Sequence, residues 1–354
     1  MQNEFETFYY KIKASDRICQ KPSLEPNAYQ REQMERQFGM FIHFGVNTFG
    51  NVEWSSGRID ALSYQPTAID ADQWVRTAWE AGMNYVIMIT KHHDGFCLWD
   101  TQYTNYSVKH SGNTTDVVKA VSEACAKYNI KLGLYYSLWD CTEPSYQKDF
   151  ANGYVPYMLH QLTELMYGRY GEIVELWLDG SWDKSMTDWR LDLIYDTVKQ
   201  LQPGCQIGVN HTVGEYTTTP GFDEKERWLP QNYQPNDPLR MFPSDFRLWD
   251  PHCCRADDPK IYTFEGERYY LPFEMTICSR EGFSWFYSNI YENKDFIPVD
   301  KVVMDYKTVT AAGNMVVINM PPNTEGKLVQ GDIDHLMEIS CRLGINRKGG
   351  GLIG

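Results

Sequence analysis

Short, nearly continuous apolar runs alternate along the chain with stretches whose apolar residues recur at helical spacing, and this alternation predicts parallel βα units. The runs are Met40 to Val46, Tyr85 to Thr90, Lys131 to Ser137, Val174 to Asp179, Gln206 to Asn210, Glu274 to Cys278, Trp285 to Ser288 and Met315 to Asn319. Their lack of polar alternation is what strands covered on both faces require. Helices are expected over Ala71 to Ala81, Thr115 to Tyr128, Tyr154 to Tyr170, Thr187 to Gln200 and Val299 to Ala312, with Asp116 and Asp300 near two of their starts. Eight strands interleaved with helices in 354 residues suit an α/β fold, a (β/α)8-like TIM barrel. No repeat, low-complexity tract or Ser/Gly linker divides the chain. It reads as one catalytic barrel domain over residues 1–345, with 346–354 as a frayed terminus. From Gly204 to Pro272 the rhythm gives way to a stretch rich in Pro, Asp and aromatics, which predicts an ordered, ligand-facing loop.

Composition excludes several classes of function. A formal charge of −14 disfavours nucleic acid and anionic membranes as partners. No apolar stretch reaches the roughly 20 residues a membrane span needs. Met1 to Tyr10 lacks the pattern of an export signal, so a periplasmic or secreted location would require that one had been removed. Nine scattered cysteines form no CxxC pair and leave the redox compartment open. Aromatic residues make up 14% of the chain, which suits either a large core or platforms for the apolar faces of sugars.

A barrel of this kind keeps its site at the C-terminal ends of its strands, and those ends are polar here. They carry His43, then Glu53-Trp54 in the next loop, Lys91-His92-His93-Asp94, Tyr135-Tyr136-Ser137, Trp177-Leu178-Asp179-Gly180 and Asn210-His211. Asp179 follows an apolar run and precedes a glycine, so its carboxylate should emerge at the barrel mouth, as a reacting group or as a plain turn. Adjacent His92 and His93 cannot both face inward from a regular strand. They must lie where the strand bends, either binding substrate hydroxyls or serving as a metal pair with Asp94. Metal hydrolases on barrels space such a pair one residue apart, and this chain does not. Without a GxSxG elbow, a P-loop or a GxGxxG turn, the remaining chemistry is that of carboxylates among aromatics, which is what glycoside hydrolysis needs.

These motifs resemble those of the α-L-fucosidases of glycoside hydrolase family 29. Phe38 to Phe49 (FGMFIHFGVNTF), Glu53-Trp54, Tyr85 to Val108 with its KHHDGF core, GLYYSLWD at Gly133 to Asp140 and ELWLDG at Glu175 to Gly180 follow the family's order and spacing. SWFYSN at Ser284 to Asn289 and GNMVVINMPPNTEG at Gly313 to Gly326 resemble its last barrel segments. The resemblance implies a retaining exo-α-L-fucosidase that takes fucosylated oligosaccharides or glycoconjugates and needs no metal and no cofactor. By motif position Asp179 corresponds to the nucleophile, and His43, Glu53, Trp54, His92, His93, Tyr136, Trp177 and Trp285 to residues that hold the sugar.

The departures are specific. No full C-terminal β-sandwich is read in the chain. An Arg common two residues after the fifth-strand Asn is Thr212 here, with His211 as a partial substitute. SDFRLWDP (Ser244 to Pro251) fits the segment that carries the family's acid/base Glu and puts Asp250 in its place, with Glu215, Glu224 and Glu226 as alternatives. Glu274 reads as structural. Another exo-glycosidase on the same barrel, or a carbohydrate-binding homologue without catalysis, fits the same residues.

Overall fold

The computed structural model describes residues 18–214, 232–250 and 252–347. Eight parallel strands close into a barrel, the expected fold class. In chain order they are β1 (Phe38–Ile42), β2 (Tyr85–Lys91), β3 (Lys131–Ser137), β4 (Ile173–Asp179), β5 (Gln206–Asn210), β6 (Phe246–Leu248), β9 (Phe273–Cys278) and β10 (Met315–Asn319). Between β6 and β9 the chain makes an antiparallel hairpin, β7 (Ile261–Phe264) with β8 (Glu267–Tyr270). β1 pairs with both β2 and β10, which closes the ring.

One expected strand is not a strand. Trp285 to Ser288 is loop, and the eighth staff of the barrel is β6, which lies inside the stretch that sequence patterning had left irregular. β6 is only three residues long, and its middle residue, Arg247, is fully buried and ion-paired to Asp258. A charge at the centre of so short a run removes the apolar signal. Trp285 and Phe286 are apolar for another reason: Trp285 lines the cavity at the barrel mouth, and Phe286 packs edge-on against His43 and His92.

The five expected helices form as Ala71–Glu80, Val117–Tyr128, Val155–Met166, Leu191–Leu201 and Val299–Ala311, joined by Ala28–Arg36 and Gln330–Leu343. Asp116 caps its helix, accepting from Lys119 N at 2.9 Å. Asp300 lies in the first turn of its helix and pairs with Arg342. Within the stretch expected to fray, Arg347 is tied down: its guanidinium donates to Asn84 Oδ1 at 2.7 Å and to the carbonyls of Trp79 and Met83. Residues 348–354 lie outside the described set. Among the described residues no helix is long and apolar enough to cross a membrane.

Side chains on β4 alternate between the barrel interior and the helices. Glu175, Trp177 and Asp179 therefore form one inward column. At its base a fully buried carboxyl pair, Glu175 and Glu274, is gripped by Arg36 and Gln33 on one side and by Tyr85 and Trp177 on the other. Burial and the neighbouring Glu175 charge hold Glu274 well above the usual carboxylate range, so the pair shares one proton. Trp177 stacks on Tyr135 above it, with ring centroids 5.6 Å apart, and Asp179 closes the column at the mouth.

Candidate active site

A cavity opens at the C-terminal ends of the strands, lined by Phe41, His43, Trp54, His92, His93, Tyr135, Trp177, Asp179, Asp250 and Trp285. Its walls combine aromatic faces with imidazole and carboxyl groups, the mixture that a ring carrying both C–H faces and hydroxyls asks for.

The register of β2 against β3 shifts between Ile89 and Lys91. This bulge re-aims the end of the strand and lets consecutive His92 and His93 both line the cavity. The loop behind them is anchored by a buried ion pair, Lys91 Nζ to Asp140 Oδ2 at 2.9 Å. Gly95 has φ +86°, and a side chain there would collide with Asp140 and Thr142.

Hydrogen-bond partners fix the tautomers of the three imidazoles. Asn319 spends its amide hydrogens on the carbonyls of Ser284 and Trp285, so its Oδ1 accepts from His43 Nδ1 at 2.7 Å. Ser137 Oγ donates to the Trp139 carbonyl and accepts from His93 Nδ1 at 2.7 Å. His43 and His93 thus keep a bare Nε2. Asn47 Nδ2 donates to His92 Nδ1 at 3.4 Å, which leaves His92 with Nε2–H as donor. Burial holds all three well below the usual imidazole range, His93 at about 3, with the neighbouring rings or Lys91 adding to the effect. Neutral rings that offer two acceptors and one donor complement hydroxyl groups. Among the described residues no group of three or more His, Cys, Asp or Glu side chains is arranged to hold a metal ion.

Asp179 ends β4. Its Oδ1 accepts from Gly180 N at 2.7 Å and Asn210 Nδ2 at 3.0 Å, and its Oδ2 from the Tyr135 hydroxyl at 2.9 Å. His93 Nε2 stands 3.6 Å from Oδ2, too far for a hydrogen bond. The same Asn210 Nδ2 also donates to Asp250 Oδ1. Burial first, and the Asp179 charge second, push the Asp250 carboxyl up to about 7. One amide nitrogen thus holds two carboxyl groups within the span of two hydrogen bonds, and Asp250 is raised toward neutrality as a proton donor requires.

Most residues expected from the sequence meet here, but Glu53, Tyr136 and His211 do not line the cavity. Tyr136 faces outward, because alternation along β3 points Tyr135 in: its hydroxyl donates to Gln161 Oε1 at 2.7 Å, and Lys91 Nζ lies 4.3 Å from its ring centroid. Glu53 works through the wall. Its Oε2 accepts from the backbone N–H of Trp285 and Phe286, both at 3.0 Å, and burial raises its carboxyl to about 7. His211 packs edge-on against Trp249 at 5.0 Å, and burial lowers it to about 4 despite the Asp179 charge. Glu215, Glu224 and Glu226 lie outside the described residues. Phe41 was not among the expected site residues, and Tyr135 and Asn210 were expected at the strand ends without a role. The register that sets Tyr135 beside Trp177, and Ser137 beside Asp179, is the signal that finds Tyr135.

Residues 60–348 match the family model described as Alpha-L-fucosidase. The chain is 33% identical over 326 residues to Alpha-L-fucosidase 1 of Arabidopsis thaliana, covering 89% of this chain and 59% of that protein. Among solved structures it is similar to a glycoside hydrolase 29 family member from an unknown rumen bacterium, with TM-score 0.71 and 26% identity over 92% of this chain and 58% of that one. It is also similar to alpha-L-fucosidase isoenzyme 1 from Paenibacillus thiaminolyticus, with TM-score 0.67 and 26% identity over 89% of this chain and 76% of that one. The chain spans about three fifths of the length of the first of these relatives.

Proposed function

The chain belongs to the α-L-fucosidases of glycoside hydrolase family 29, and from that premise we propose that it is a retaining exo-α-L-fucosidase whose barrel is the catalytic unit. It would release terminal α-L-fucosyl residues from oligosaccharides or glycoconjugates. The observation that carries this reading is the Asn210 amide bridging Asp179 and Asp250 in the wall of the aromatic cavity.

In the proposed reaction Asp179 attacks the anomeric carbon and Asp250, holding its proton near neutral pH, delivers it to the departing glycosidic oxygen. Water then enters, Asp250 takes its proton, and the fucosyl–Asp179 ester is cleaved with net retention. Retention asks for carboxyls about 5–5.5 Å apart, a range that a single bridging amide supports. Tyr135, Asn210 and the Gly180 N–H hold the attacking carboxylate, and each bond weakens as its charge passes into the ester. His43, His92 and His93 meet the ring hydroxyls, and Trp177 and Trp285 supply apolar faces.

The test is a panel of aryl glycosides followed by NMR of the first-formed sugar. The reading expects turnover of the α-L-fucoside alone and α-L-fucose as the initial product. Preference for another glycone, or initial β-L-fucose, would refute it.

A further inference from the structure

The aromatic lining does not stop at the cavity. Trp54 lies parallel to Trp182, with an interplanar angle of 5° and centroids 5.6 Å apart. Trp139 meets the pair edge-on, at 6.4 Å from Trp54 and 5.5 Å from Trp182. The His93 ring abuts all three, at 5.2 Å from Trp54, 5.0 Å from Trp182 and 5.5 Å from Trp139. Its Nε2 is 3.6 Å from Asp179 Oδ2, so an unbroken aromatic surface runs from that carboxylate to solvent.

The backbone beneath two of these indoles is tied down. Ser137 Oγ donates to the Trp139 carbonyl at 2.6 Å, and the Arg240 guanidinium donates to the carbonyls of Ser181 at 3.2 Å and Trp182 at 3.5 Å. Gly180, at φ +76°, lets the turn after Asp179 press on Trp139, whose Cβ would stand 2.8 Å from any Cβ added there. Yet Trp54 is 55% exposed, the tryptophan most open to water among the described residues. An indole packed flat on Trp182 and held open beside a polar pocket is costly to hydrate, and it leaves a flat apolar face toward solvent for a ligand.

We propose that the Trp54–Trp182 pair is the binding platform for the leaving group, a neutral pyranose ring joined to the terminal sugar. The inference rests on the fucoside reading above and adds where the rest of the substrate lies. Phe41, Tyr135 and Trp177 plug the barrel below the cavity, so a sugar seated beside Asp179 has its glycosidic partner at the mouth. There the exposed face of Trp54 meets the C–H face of that partner, and Trp182 fixes the plane of Trp54 from behind. Trp182 does not itself line the cavity but abuts Trp54 and His93, which do, so a change there is read as a ratio between two substrates that share the terminal sugar.

The experiment compares two substrates in Trp182→Ala. α-L-Fucosyl fluoride has no leaving ring, whereas an α-L-fucosyl-galactose disaccharide has one. The ratio of kcat/KM for the disaccharide to that for the fluoride should fall about tenfold, mainly through KM, the scale of one lost stacking contact. Trp182→Phe should restore most of it. If the Ala variant does not fold, Trp182→Leu is read the same way. A ratio held within about twofold, whether both rates fall together or neither does, overturns the proposal. Wild-type protein inert toward the fluoride would refute the fucoside reading itself.

Discussion

The Tyr135 hydroxyl donates to Asp179 Oδ2 at 2.9 Å across the β3–β4 pair, while its neighbour Tyr136 turns its own hydroxyl to Gln161 on the far side of the sheet. This bond fixes the direction in which the carboxylate proposed to attack points, so its loss costs orientation, an effect that reaches about 100-fold for a small misplacement. Tyr135→Phe is therefore expected to lower kcat roughly 10- to 100-fold with KM little changed. Tyr136→Phe should leave kcat near the wild-type value and cost about 1 kcal/mol of stability, read as a shift in denaturant midpoint. The reverse pattern would show that the inward and outward assignments of β3 carry no functional weight.

That pair also marks how far the sequence could be read. β3, β5 and β10 have the bounds their apolar runs predict, and Asp179 stands at a strand end as its place before Gly180 implies. Adjacent aromatic residues such as Tyr135 and Tyr136 look alike in a run buried on both faces, so periodicity cannot say which one enters the barrel. Asn210 was legible as a strand end, but its bridging role depends on where β6 delivers Asp250, and β6 is hidden by the buried Arg247. Glu53 was legible as a site-forming residue. That its carboxyl caps two backbone N–H groups follows from the loop holding Trp285 and Phe286, a segment whose composition imitates a strand.

Removing the proposed nucleophile gives the most direct result. Asp179→Ala should cut turnover of an aryl fucoside by roughly 10⁴-fold while the circular dichroism and melting temperature stay close to wild type. Azide, small enough to occupy the vacated space, should recover part of the rate and leave a fucosyl azide of inverted configuration. A variant that keeps more than a few per cent of activity without azide would remove Asp179 from its role.

The carboxyl pair at the base of the column makes a prediction about stability. Glu274 is held well above its ordinary range in the folded protein, so the native state keeps a proton that the unfolded chain releases near pH 4.3. Because the native state binds more protons, stability must fall as pH rises from about that value toward the folded pKa. Glu274→Gln removes this slope and can still accept from Trp177 Nε1 and donate to Glu175. Denaturant unfolding from pH 4 to pH 8 should show the variant gaining on the wild type as pH rises. Parallel curves would mean that Glu274 is ionised in the folded state.

Asp250 carries the riskiest assignment, because an Asp reaches one methylene less than the Glu its position suggests. Its carboxyl lies at about 7, raised by burial and then by Asp179, and a general acid must hold its proton to act. Cleavage of a sugar leaving group should therefore decline as pH rises through about 7, since an alkoxide cannot depart unprotonated. An aryl oxide of low pKa can, so an activated aryl fucoside should be far less sensitive. Asp250→Ala is expected to lower disaccharide cleavage by roughly 10²–10⁴-fold and to abolish the alkaline limb, while the first step on the aryl fucoside is largely spared. Equal damage to both substrates, or an alkaline limb that survives the substitution, would move the acid to another carboxyl.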